Sequence, residues 1–148
     1  MSAMRAVVGL VLAYVGFVSL GLPDTALGAA WPAMRLELAL PLDAAGAILL
    51  ATSAGVVLSS ATSGFVRPRI GTGAVLVGST ALAALALAAT SWATSLAVVL
   101  AAAFVAGLGG GAIDAALNDF VARHHGARHM NWLHAAWGVG ASLAPAFV

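Results

Sequence analysis

Long apolar runs occupy almost the whole chain, separated by short stretches of arginine, proline or hydroxyl residues. The runs cover about residues 6–30, 42–65, 72–90, 96–121 and 131–148. Arg5 precedes the first and Trp31-Pro32 follows it. Pro41 and the Arg67-Pro68-Arg69 triplet bound the second. Ser91-Trp92-Ala93-Thr94-Ser95 closes the third, and Arg123-His124-His125-Gly126 closes the fourth. An α-helix needs roughly 20 residues at 1.5 Å each to cross about 30 Å of hydrocarbon, so the first four runs suffice. The fifth run is still apolar at Val148, and its eighteen residues from Asn131 fall short of a comfortable crossing. Barrel strands would alternate apolar and polar residues over about ten positions, and these runs do not alternate. The pattern predicts an all-α polytopic membrane protein with four spans and a truncated fifth.

Composition excludes the soluble alternative. The chain is 62% hydrophobic and 7% charged, against roughly 25% charged in a soluble domain. Lipid is therefore the expected partner of most of the surface. The absence of cysteine excludes disulfides and thiolate metal sites. No basic run interleaved with aromatics points to nucleic acid. The six basic residues are all arginines. With a cytoplasmic N-terminus, Arg5, Arg67, Arg69, Arg123 and Arg128 lie inside and only Arg35 outside, which predicts that orientation in a cell membrane. A cleaved leader fits poorly, because the first apolar run continues past the small residues at Ala26-Leu27-Gly28.

Polar residues inside the runs carry the candidate chemistry. A carboxylate at a helix centre costs roughly 2.5–3.5 kcal/mol on insertion scales, so Asp24 and Asp114 call for a function or a hydrogen-bonding partner. An acid taken out of water can exist neutral as well as charged, and proton coupling needs both states. At 1.5 Å per residue, Asp24 falls about 7 Å to one side of its run's midpoint and Asp114 about 9 Å to the other side of its own. Asn118 follows Asp114 by one helical turn and shares its face. Asp119 points elsewhere, with a solvated or capping role expected. Asn131, His134, Gly138 and Ala141 share a face of the fifth run. His134 is the one histidine expected at bilayer depth.

Other patterns have plainer readings. Gly107 and Gly111 have the small-xxx-small spacing that lets backbones approach. Their glycine-rich run lacks the Lys-Ser/Thr ending of a phosphate loop. His125 and His129 stand four apart without a third ligand, so neither a metal nor any other cofactor is expected. Trp31, Trp92 and Trp132 read as interfacial anchors. Trp137 suits a cavity or a lipid face equally.

Several stretches point to one family. Gly64-Phe65-Val66-Arg67-Pro68-Arg69-Ile70-Gly71 resembles the loop signature of major facilitator transporters, matching it at Gly64, Arg69 and Gly71. Pro68 stands where the family has an acid, and Thr72-Gly73 where it has a basic pair. Asp114 to Asn118 and Arg128 to His134 resemble the fucose permease branch, with acid-x-x-x-Asn in span four and Arg-x-x-Asn-x-x-polar opening span five. Gly21-Leu22-Pro23-Asp24 through Trp31-Pro32 resembles a bacterial facilitator subgroup.

The resemblance implies two six-helix bundles, of which this chain would supply the N-terminal part of the first. It also implies proton symport of a sugar-like or other small polar solute rather than an enzymatic reaction. On that basis Asp24 and Asp114 would couple protons. Asp114, Asn118, Asn131 and His134 would bind solute, and Gly64, Arg69 and Gly71 would form a conformational loop motif. The alternative is a stand-alone small membrane protein, acting as an oligomeric scaffold or partner. The isolated chain is expected to self-associate, hiding its polar face from lipid, and to transport nothing alone.

Overall fold

A computed structural model describes residues 3–147. Five α-helices follow one another: α1 (Ala3–Glu37), α2 (Ala44–Ile70), α3 (Thr72–Ser91), α4 (Leu96–His124) and α5 (Ala127–Leu143), with a final 3-10 turn over Ala144–Phe147. Among the described residues there is no β-strand. Four helices, α1 to α4, are long and apolar enough to cross a membrane. The chain is thus an all-helical protein of the multi-pass membrane type.

The helices outrun the apolar runs at the prolines. α1 continues through Pro32 to Glu37, and α2 through Pro68 to Ile70. Proline removes one N–H and leaves the carbonyl four residues earlier without its usual donor. Its φ is already the helical one, so a helix that continues through it loses one bond where a break would open several. Beside Pro68, the Arg69 guanidinium Nη1 donates to the Phe65 carbonyl. α2 ends where Gly71 takes φ 84°, with its N–H donating to the Arg67 carbonyl at 2.9 Å. L-residues avoid that conformation and glycine does not. Gly71 alone separates α2 from α3, so the segment expected as a loop, Gly64 to Ile70, is the last two turns of α2. At the other end of the chain, α5 begins at Ala127, four residues before the expected span.

Two compact units form. The unit Trp31–Ala116 holds the end of α1, then α2, α3 and most of α4. A Cβ added at Gly107 would fall on the Thr52 carbonyl oxygen, and one at Gly55 on the Phe104 carbonyl oxygen. Contacts advance together along both helices, from Thr52 against Gly107 to Ser59 against Gly111, so α2 and α4 run parallel. Gly109 takes α3, where an added Cβ would lie 2.7 Å from the Ser79 carbonyl oxygen. Backbone contact at small residues is how helices associate where lipid supplies no hydrophobic drive.

The second unit, Met1–Ala30 with Leu117–Val148, holds α1, the last turns of α4, and α5. Its centre is Ala13, Phe17, Leu117, Val121 and Leu133, all buried. Here α1 and α5 run parallel, since Tyr14 meets His129, Phe17 meets His134 and Thr25 meets Ala141.

Candidate functional site in the α1–α5 unit

α1 presents Tyr14, Phe17, Val18, Gly21, Asp24 and Thr25 to α5, at the three- and four-residue steps that keep side chains on one helical face. The crossing is tight. An added Cβ at Gly21 would strike the Trp137 carbonyl oxygen, and one at Gly140 the Val18 carbonyl oxygen. Thr25 Oγ1 donates to the Ala141 carbonyl at 2.8 Å, a bond across the same crossing.

That approach brings the Trp137 indole to Asp24. Nε1–H donates to Asp24 Oδ2 at 2.9 Å, while the carboxylate stays exposed. A hydrogen bond to an ionised acceptor is stronger than one between neutral groups. One oxygen is therefore held, and the group as a whole remains open to whatever occupies that face. Trp137, for which the sequence favoured neither cavity nor lipid, is thereby placed on α1. Two turns earlier along α1, the His134 ring stands edge-on to Phe17, with centroids 5.7 Å apart. Phe17 is 1% exposed and His134 is exposed, so the buried phenyl ring fixes the imidazole from one side only. Asn131, one turn before His134, is exposed.

Toward the N-terminal end of α5, the Tyr14 hydroxyl and His129 Nδ1 are 2.7 Å apart. The His129 ring lies 5.3 Å from that of His125, which in turn lies 5.9 Å from Phe120. His125 Nε2 is buried without a hydrogen-bond partner. The sequence expectation weighed His129 only beside His125, as an incomplete metal pair, and did not foresee its contact with α1. The available signal was Tyr14, the only tyrosine of the chain, set inside an apolar run. Its hydroxyl needs a polar partner when buried.

Of the other candidates, Asn118 is half-buried near the end of α4 within this unit, and it has an interaction partner. Asp114 belongs to the Trp31–Ala116 unit, where it is half-buried and also partnered. Asp119, expected to be solvated or to cap, pairs with Arg123 at 2.7 Å. Gly64 is exposed with open space beside it, and Arg69 and Gly71 finish α2 as described above. Among the described residues no three His, Cys, Asp or Glu side chains converge as metal ligands.

No protein family, curated protein or solved structure matches the chain.

Proposed function

We propose that the chain is the N-terminal part of a proton-coupled secondary transporter of the major facilitator type, carrying a small polar solute. The observation that carries this reading is the Trp137–Asp24 bond: an aspartate in an apolar helix, held at one oxygen by a second helix and exposed at the other. A purely structural aspartate would have both oxygens engaged between helices. One that is half-held keeps its geometry while gaining and losing a proton. His134 and Asn131 on α5 supply donors and acceptors for solute hydroxyls, as does Asn118 on α4. Asp114 is assigned both proton exchange and solute binding.

In proteoliposomes bearing the full-length transporter, Asp114→Asn and Asp24→Asn should each abolish accumulation driven by a proton gradient while leaving measurable solute exchange. Normal accumulation per correctly inserted molecule would remove the proton role. Uptake by the 148-residue chain alone would show that one partial bundle suffices. Stable homo-oligomers of the natural protein with no transport would favour the scaffold.

We assign a cytoplasmic N-terminus from the arginines. Single cysteines at 35–41 and 91–95 should react with an impermeant thiol reagent in intact cells, and those at 123–129 should be shielded. The reverse labelling pattern would overturn the orientation.

A further inference from the structure

A groove of about 620 Å³ runs beside α5 in the α1–α5 unit, lined by Tyr14, Val18, Arg128, His129, Trp132, Ala135, Ala136 and Val139. It uses a different face of α5 from Asn131 and His134, and no role assigned above involves it. Its two ends differ in chemistry. Along α5 from Ala135 to Val139, with Val18 opposite, the lining is entirely small or aliphatic. At the other end stand Arg128 and His129, in the first turn of α5, and the exposed ring of Trp132. Arg128 is exposed and forms no ion pair among the described residues, in contrast to Arg123, which Asp119 neutralises. The hydrogen bond between the Tyr14 hydroxyl and His129 Nδ1 fixes the imidazole at the groove's polar end.

We propose that this groove binds an anionic phospholipid of the bilayer, with its phosphate at Arg128 and His129 and an acyl chain along Val18, Ala135, Ala136 and Val139. The complementarity is threefold. An uncompensated arginine beside the membrane attracts acidic headgroups. A tryptophan next to it sits at the glycerol level, where its apolar ring and N–H are both satisfied. The small and aliphatic residues beyond form an apolar surface that a free phosphate would leave uncovered. A soluble anion would use only the polar end. The occupant is therefore a lipid, and the site stands whether or not the chain transports.

The test reconstitutes the protein in vesicles containing either phosphatidylglycerol or phosphatidylcholine with brominated acyl chains, and reads the quenching of Trp132 fluorescence. Trp132→Phe supplies the signal of Trp31, Trp92 and Trp137 to be subtracted. The expected result is a preference of about five-fold for the brominated anionic lipid, the magnitude one arginine contributes at an acidic surface. Arg128→Gln should abolish that preference, Arg128→Lys should keep part of it, and Arg67→Gln should leave it intact. Ala136→Phe, which fills the groove without touching the charge, should lower quenching by both lipids. Equal quenching by the two lipids in the parent protein would overturn the proposal. So would a preference that survives Arg128→Gln, quenching unmoved by Ala136→Phe, or a preference erased by excess inorganic phosphate. Helix content by circular dichroism separates loss of the site from loss of the fold. Should Arg128→Gln not fold, Arg128→Lys and Ala136→Phe still decide.

Discussion

The two units are built on the same kind of helix crossing, yet they use it differently. Around Gly55, Gly107 and Gly111, α2 and α4 meet backbone to backbone, and Ser60 Oγ donates across them to the Gly111 carbonyl at 3.4 Å. Around Gly21 and Gly140, α1 and α5 meet as closely, but four side-chain interactions are strung along the same seam: Tyr14 with His129, Phe17 with His134, Trp137 with Asp24 and Thr25 with the Ala141 carbonyl. Close backbone approach is thus common to both crossings. The polar and aromatic pairs of the α1–α5 unit are additional to it. Groups that cost free energy to place in a membrane and are not needed for packing point to function.

The largest effects should come from the feature the units share. Gly107→Leu and Gly140→Leu each push a side chain into a neighbouring carbonyl that cannot turn away. Overpacking typically costs about 1–3 kcal/mol and occasionally more, and both variants should fall at or above the top of that range. Reversible unfolding in mixed SDS micelles measures this. Gly46→Ala and Gly138→Ala, whose added Cβ meets nothing, should hold stability within the error of the method. A tolerant Gly140 beside an intolerant Gly107 would break the comparison, because side-chain bonds would then hold the α1–α5 seam.

Intermediate effects should come from Asp24 and Trp137. Hydrogen bonds between membrane helices average about 0.6 kcal/mol and reach about 1.7, so Trp137→Phe and Asp24→Asn should each lie in that window. Made together, they should cost less than the sum of the two, since they remove the same bond. Full additivity would show that the bond contributes nothing. The difference from transport should be instructive: Trp137→Phe keeps the carboxylate, whereas Asp24→Asn removes the proton site.

Much of the helix layout was legible because it depends on local composition. The arginine and hydroxyl breaks set the connections after α3 and α4, and uninterrupted apolar runs set the helices between them. The prolines misled at Pro32 and Pro68: the expectation made them boundaries, and the helices continue through both. The polar site was legible residue by residue: Asp24 and His134 stand out as polar groups in apolar runs. Their partners were not. Trp137 lies 113 positions from Asp24, and only the parallel docking of α1 on α5, set by Gly21 and Gly140, decides which indole meets which carboxylate. His129 precedes the expected fifth run, yet it lies in the first turn of α5, because that helix begins at Ala127, earlier than the first strongly apolar residues suggest.

The smallest effect should be that of Tyr14→Phe, and it separates the units most finely. The substitution keeps the ring and its packing and removes one hydroxyl, 2.7 Å from His129 Nδ1. A neutral hydrogen bond contributes about 0.5–1.5 kcal/mol net. The pair is only part-buried, so water can replace the hydroxyl, and the loss should fall at the lower end. Stability alone would barely report it. The tautomer should: with Tyr14 donating, Nδ1 is the acceptor and the proton sits on Nε2. Removing the donor frees His129 to exchange between both forms. Nitrogen chemical shifts of a selectively labelled His129 should therefore move toward an averaged position in Tyr14→Phe and stay fixed in the parent protein. The matching change in the other unit, Ser60→Ala, removes a bond already long at 3.4 Å and should alter neither stability nor any side-chain signal. If Tyr14→Phe is equally silent, then the hydroxyl does not orient His129, and the α1–α5 seam at that level is held by shape alone.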